Sequence, residues 1–124
     1  MATILIVEDN ESLRLAYSSF LEQEGYEVTT ASRVQEALDY LRNHTPDLIL
    51  LDMLMPEMNG LELLKKYDLK SEHAGVKVIA FSNLTEMRIQ EEALALGVSL
   101  YLTKSLTDPH ELVENVRGLL ALKD

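Results

Sequence analysis

Apolar residues recur along this chain in two alternating rhythms. Short β-rich runs are separated by stretches whose apolar positions fall three or four apart. The runs are TILIV (Thr3 to Val7), YEVTT (Tyr26 to Thr30), DLILL (Asp47 to Leu51), VKVIAF (Val76 to Phe81) and VSLYL (Val98 to Leu102). The first and third are almost wholly apolar, as strands covered on both faces must be. The second and fourth partly alternate, which predicts positions nearer the sheet edge.

The intervening stretches carry helix punctuation. Leu13, Ala16, Tyr17 and Phe20 share a face ahead of Gly25, a stop signal. Ser32 with Gln35 has capping-box spacing before Val34, Ala37, Leu38 and Leu41. Asn59 with Glu62 predicts the start of a third helix. Ile89, Ala93 and Leu96 point a fourth inward, with Gly97 closing it. Asp108, Pro109 and Glu111 suit N-cap, first and third helical positions, followed by Leu112, Val113, Val116, Leu119 and Leu120. Strand–helix alternation with buried strands implies a parallel sheet with helices on both faces. Five units cannot close an eight-stranded barrel, so an open doubly wound sheet is expected, in a single domain spanning residues 1–124.

In such sheets ligands bind beyond the carboxyl ends of the strands. Glu8 and Asp9 follow the first run, Asp52 the third, Ser82 the fourth, and Thr103 and Lys104 the fifth. Only Ala31 and Ser32 follow the second. Three carboxylates repel one another unless a cation sits among them, and hard oxygen donors suit Mg²⁺. A lysine and a hydroxyl opposite them suit phosphoryl oxygens. Asp52, first past the apolar run in LILLDMLMP, is therefore a candidate nucleophile.

Composition narrows the alternatives. The 124 residues carry a net charge of −10, contrary to the clustered cations of a nucleic-acid backbone binder. No cysteine is present, which removes disulfides and thiolate metal sites. No apolar stretch approaches the length of a membrane span, and Met-Ala-Thr leads directly into the first run, so a cytoplasmic location is expected. His44, His73 and His110 recur at no catalytic or metal-ligand spacing, contrary to a phosphohistidine carrier. The acidic EDNES after the first run would repel the phosphate of a flavin nucleotide. A haloacid-dehalogenase-type phosphatase needs a second aspartate two residues past the nucleophile, where this chain has Leu54.

The segments ILIVEDN, DLILLDMLMPEMNG, VIAFSN and YLTKS, at these spacings, resemble the receiver domain of two-component response regulators, from Ile4 to about Leu122. Pro56 and Gly60 also fit the family's loop after the aspartate. The resemblance implies a flavodoxin-like (βα)5 fold with strand order 2-1-3-4-5. It implies Asp52 as phosphoacceptor. Mg²⁺ would be held by Asp9 directly, by Glu8 through water, by Asp52 and by the Leu54 carbonyl. Lys104 and Ser82 would bind phosphoryl oxygens, with Ser82 and Tyr101 as the switch pair. The implied donor is a histidine kinase or histidine phosphotransfer protein, docking over the first helix and the strand-end loops. The implied recipient is a downstream protein or an output domain, reached through the surface of the fourth helix, fifth strand and fifth helix. A phosphorylation-linked dimer is left open, and no nucleic-acid or membrane partner is expected of this chain.

The chain departs from the family pattern in two ways. Its lysine is normally followed by a cis proline, whereas Ser105 follows Lys104 here; a non-proline cis bond is costly, so a trans bond is expected. The resemblance implies that the side chains of Leu54 and Leu84 border the path of water to the acyl phosphate. Two leucines cannot orient water, which predicts slow self-dephosphorylation. The opposing reading is an interaction module that keeps the fold and no longer takes phosphate.

Overall fold

The computed structural model describes residues 1–122. Five strands alternate with five helices: β1 (Thr3–Val7), α1 (Glu11–Gln23), β2 (Glu27–Ala31), α2 (Val34–Leu41), β3 (Leu48–Leu51), α3 (Gly60–Lys66), β4 (Lys77–Ser82), α4 (Met87–Ala95), β5 (Leu100–Thr103) and α5 (Pro109–Ala121). A single 3-10 turn, Lys104–Leu106, joins β5 to the loop before α5. All strand pairs are parallel, in the order β2-β1-β3-β4-β5. Among the described residues no helix is long and apolar enough to cross a membrane.

The two-residue period of the strands divides the core. Leu5, Val7, Ile49, Leu51, Val78 and Ala80 face α2, α3 and α4, packing with Val34, Ala37, Leu63, Leu64 and Ala93. Ile4, Ile6, Leu48, Leu50, Ile79 and Phe81 face the other way and meet Leu21 of α1 with Leu112, Val113 and Val116 of α5. Each of the Val, Leu, Ile and Phe side chains among them contributes roughly 1.5–3 kcal/mol on burial. This is why β3, and β1 after Thr3, had to be apolar.

The order corrects one expectation. β4 lies inside the sheet between β3 and β5, and all but its first residue are buried. Its apolar run is bounded by Lys77 at the start and Ser82 at the end. The second edge belongs to β5, whose residues are all half-buried. Predicted strand ends shift by one or two residues; Ser82 and Thr103 are the last residues of β4 and β5 rather than the first beyond them.

Of the three helix starts that the punctuation predicts, two hold and one fails, and the cap of α1 was not among them. Asn10 caps α1, and Asn59 and Asp108 form reciprocal capping boxes with Glu62 and Glu111. At α2, however, Arg33 is the N-cap and makes no side-chain cap bond. The Ser32 amide and hydroxyl both donate to Glu36 Oε1, at 2.7 and 3.0 Å, so Gln35 is not the partner. Gly25 and Gly97 end α1 and α4 at φ of +93° and +109°, where a Cβ would be strained.

Candidate functional site

The sheet itself holds the acidic residues in place. The Glu8 amide donates to the Ala31 carbonyl at 3.0 Å, and the Asp52 amide to the Val7 carbonyl at 3.0 Å. Both residues thus sit one step beyond their strands while still bonded to a neighbour. The side-chain alternation continues, so Glu8 and Asp52 lie beside Ile6, Leu50, Tyr17 and Phe81. They are only 3% and 7% exposed.

Buried carboxylates require partners, and these have several. Lys104, at the start of the 3-10 turn after β5, places its Nζ 2.5 Å from Glu8 Oε1 and 3.1 Å from Asp52 Oδ2. The other oxygens accept backbone amides: Glu8 Oε2 from Asn10 at 3.1 Å, and Asp52 Oδ1 from Leu54 at 3.1 Å. Arg14 reaches back from α1 and donates to the Glu8 and Asp9 carbonyls, at 2.8 and 3.3 Å. Burial pushes the Glu8 carboxyl above its ordinary value, with Lys104 opposing that rise. For Lys104 burial acts downward, but the bonds and charges of Glu8 and Asp52 outweigh it and hold the ammonium above its usual range.

Asp9 is exposed at the mouth of this pair. One carboxylate oxygen each from Glu8, Asp9 and Asp52 lie within 4.8 Å of one another. Donors around a Mg²⁺ ion at ~2.1 Å sit at most about 4.2 Å apart, so a small closing movement suffices. The residues present therefore fit the ion: oxygen donors only, two of them buried and one facing solvent.

On the other side, Ser82 is paired with Thr103 in the last register position of β4 and β5. The Leu84 amide donates to Ser82 Oγ at 3.1 Å, leaving the hydroxyl proton free to donate elsewhere. The Tyr101 hydroxyl donates to the Leu84 carbonyl at 2.5 Å. Ser82 and Tyr101 thus meet through the backbone of Leu84. Thr103 stays outside the group, its carbonyl accepting from the Thr107 hydroxyl at 2.9 Å. The Leu54 side chain is 63% exposed, while Leu84 packs half-buried against the core. No cis peptide occurs among the described residues, so the Lys104–Ser105 bond is trans.

Sequence reasoning missed Asn83, whose Oδ1 accepts the Ser105 amide at 2.9 Å. The signal was present as two facts not connected: a polar residue beside Ser82, and a non-proline after Lys104.

The family described as response regulator receiver domain matches residues 4–117. The chain belongs to that family. The receiver is 33% identical over 118 residues to the polar-differentiation response regulator DivK of Brucella anthropi, covering 95% of each chain. It is also 33% identical over 120 residues to sporulation initiation phosphotransferase F of Bacillus subtilis, covering 97% of this chain and 94% of that one. Among solved structures, a CheY-like receiver domain protein from Methanospirillum hungatei JF-1 matches with a TM-score of 0.90 at 31% identity, covering 98% of this chain and 94% of that one. Chemotaxis protein CheY4 of Vibrio cholerae matches at 0.87 and 30%, covering 96% and 98%. Receivers are phosphorylation-activated signalling switches of two-component systems, phosphoryl acceptors rather than turnover enzymes. The cluster of Glu8, Asp9 and Asp52 fits their Mg²⁺-binding phosphorylation site.

Proposed function

We propose that Asp52 is the phosphoacceptor and that a histidine kinase or histidine phosphotransfer protein is the donor. The observation that carries this is the placement of Lys104 Nζ between Glu8 and Asp52, beside the Asp9 carboxylate, at the carboxyl edge of the sheet. An Asp52 carboxylate oxygen forms the new bond to phosphorus as the phosphorus–nitrogen bond of the donor phosphohistidine breaks. The electron pair of that bond returns to the imidazole. Lys104 then exchanges a carboxylate partner for a phosphoryl oxygen, and Ser82 donates its free hydroxyl proton to another.

Glu8, Asp9 and Asp52, with the Leu54 carbonyl, are the residues that would hold Mg²⁺. When bound, the ion supplies charge neutralisation between the carboxylates and the incoming phosphoryl group.

The phosphoryl group draws on Ser82, and through Leu84 on Tyr101, so the α4–β5–α5 surface changes with it. A downstream protein or an output domain reads that surface. The receiver acts as one domain, in the cytoplasm, where its kinases deliver phosphate.

Incubation with Mg²⁺ and acetyl phosphate, followed by intact-mass measurement, tests the reading. Wild type gains one phosphoryl group, and Asp52→Asn gains none. A wild type that stays unmodified with both acetyl phosphate and a phosphorylated kinase rejects the switch and leaves the interaction module.

A further inference from the structure

The two side chains assigned to the phosphoryl oxygens, Ser82 and Lys104, each have a neighbour in the chain that bonds the other's neighbour. Asn83 follows Ser82, and Ser105 follows Lys104. The Ser105 N–H donates to Asn83 Oδ1 at 2.9 Å, joining residues 22 apart in sequence. We propose that Asn83 is a positioning residue of the phosphoryl site, a latch that sets Ser82 and Lys104 relative to each other. This inference rests on the function proposed above.

The sheet cannot supply that alignment. The β4–β5 ladder ends at the Ser82–Thr103 pair, and beyond it the strands diverge. One enters the loop before α4, and the other enters the Lys104–Leu106 turn. Past this point the loop is tied to the β5 side at two places. The Tyr101 hydroxyl holds the Leu84 carbonyl, and the Ser105 amide holds Asn83. The first tie belongs to the switch pair and must give way if Tyr101 moves. The second reaches the turn that carries Lys104 itself.

The latch depends on the departure from the family pattern. Proline has no N–H, so the family's usual residue at this position could not donate. Ser105 supplies a donor where the family's ring would constrain the backbone, and Asn83 supplies the acceptor. The serine hydroxyl has no part in it, because the bond comes from the backbone.

Asn83 and Ser105 are both exposed, so water competes for the bond. A neutral hydrogen bond of this kind is worth roughly a two- to tenfold change in an equilibrium, and the lower half of that range suits its exposure. Misplacing groups that must converge on one phosphoryl magnifies such losses in the rate.

The experiment measures phosphorylation by acetyl phosphate in Mg²⁺ for wild type, Asn83→Ala, Ser105→Pro, Ser105→Ala and the double variant Asn83→Ala/Ser105→Pro. Mg²⁺ affinity is measured in parallel. Asn83→Ala is expected to slow phosphorylation about threefold or more, with Mg²⁺ affinity unchanged, because the ion's ligands lie on the β1 and β3 ends. Ser105→Ala keeps the donor and stays at the wild-type rate. The double variant is no slower than the slower single variant, since both remove one bond. Should Ser105→Pro not fold, Asn83→Ala against Ser105→Ala still decides. An Asn83→Ala rate equal to wild type overturns the latch, as do additive losses in the double variant or a parallel fall in Mg²⁺ affinity. A wild type that never gains phosphate instead overturns the function beneath it, and the latch with it.

Discussion

Lys104 Nζ lies 2.5 Å from Glu8 Oε1, an ion pair between residues 96 apart whose side chains are 12% and 3% exposed. Removing one partner of a buried pair leaves an uncompensated charge, which typically costs roughly 3–5 kcal/mol. Lys104→Met should therefore lower stability at neutral pH by about 3 kcal/mol, measured by urea unfolding. The deficit has a definite pH dependence. Burial already raises Glu8 above its ordinary value, and loss of the ammonium raises it further. A carboxyl that binds its proton more tightly when folded favours the native state as pH falls. The gap between variant and wild type is thus full above the raised value, narrows as pH falls through it, and closes below the ordinary 4.5. A gap that stays constant from pH 7 to pH 4.5 would show that Glu8 is not the residue left unpaired.

Mg²⁺ should stabilise the receiver by mass action, by about 1.4 kcal/mol at tenfold its dissociation constant. Asp9 is exposed, and its carbonyl rather than its side chain receives Arg14. Asp9→Ala should accordingly leave the ion-free stability within about 0.5 kcal/mol and shift the Mg²⁺ dependence to at least tenfold higher concentration. Thermal melting across a Mg²⁺ titration reads both quantities. An unchanged midpoint would remove Asp9 from the ligand set.

The two-residue and 3.6-residue periods made the alternation legible, because strands covered on both faces leave little choice of side chain. Glu8, Asp9, Asp52, Ser82 and Lys104 were legible as strand-end residues for the same reason: the apolar runs stop there abruptly. Edge and interior were not. β4 ends in Lys77 and Ser82, and those polar ends mimic the alternation of an exposed face although the strand is interior. The α2 cap failed because Ser32 has two acceptor-seeking groups and Glu36 lies within reach of both. Asn83 was only faintly legible, because its partner is a backbone amide, which carries no sequence label beyond not being proline.

Gly60 opens α3 against the carbonyl of Asp52, the proposed phosphoacceptor. A Cβ there would stand 2.9 Å from the Asp52 carbonyl oxygen, 2.9 Å from Met53 Cα and 2.8 Å from Met53 Sδ. The thioether can swing away, but the two backbone atoms can yield only by shifting the β3–α3 loop. Gly60→Ala should cost roughly 1–3 kcal/mol and slow phosphorylation, since Asp52 moves with the loop. Gly75, with nothing within 4 Å of a built Cβ and an ordinary φ, is the control. Gly75→Ala should stay within about 0.5 kcal/mol of wild type. Equal melting temperatures for the two variants would mean that the loop accommodates the methyl group.

The lifetime of the phosphorylated state should depend on what flanks the water's approach. Leu54 stands at the rim with its side chain in solvent, and Leu84 lies half-buried beside the switch loop. Neither offers a donor or acceptor to align a water with the acyl phosphate. Hydrolysis should therefore rely on unoriented solvent, and the phosphoryl group should be held long. Replacing both with hydrogen-bonding side chains, Leu54→Asn with Leu84→Glu, should shorten that lifetime by about tenfold, the order expected when a reactant gains an orienting partner. Leu54→Asn alone changes only an exposed side chain, so it separates the effect on water from any repacking at Leu84. The measurement is loss of the phosphoryl mass with time after the donor is removed. Identical decay in wild type and the double variant would show that these two positions do not set the rate.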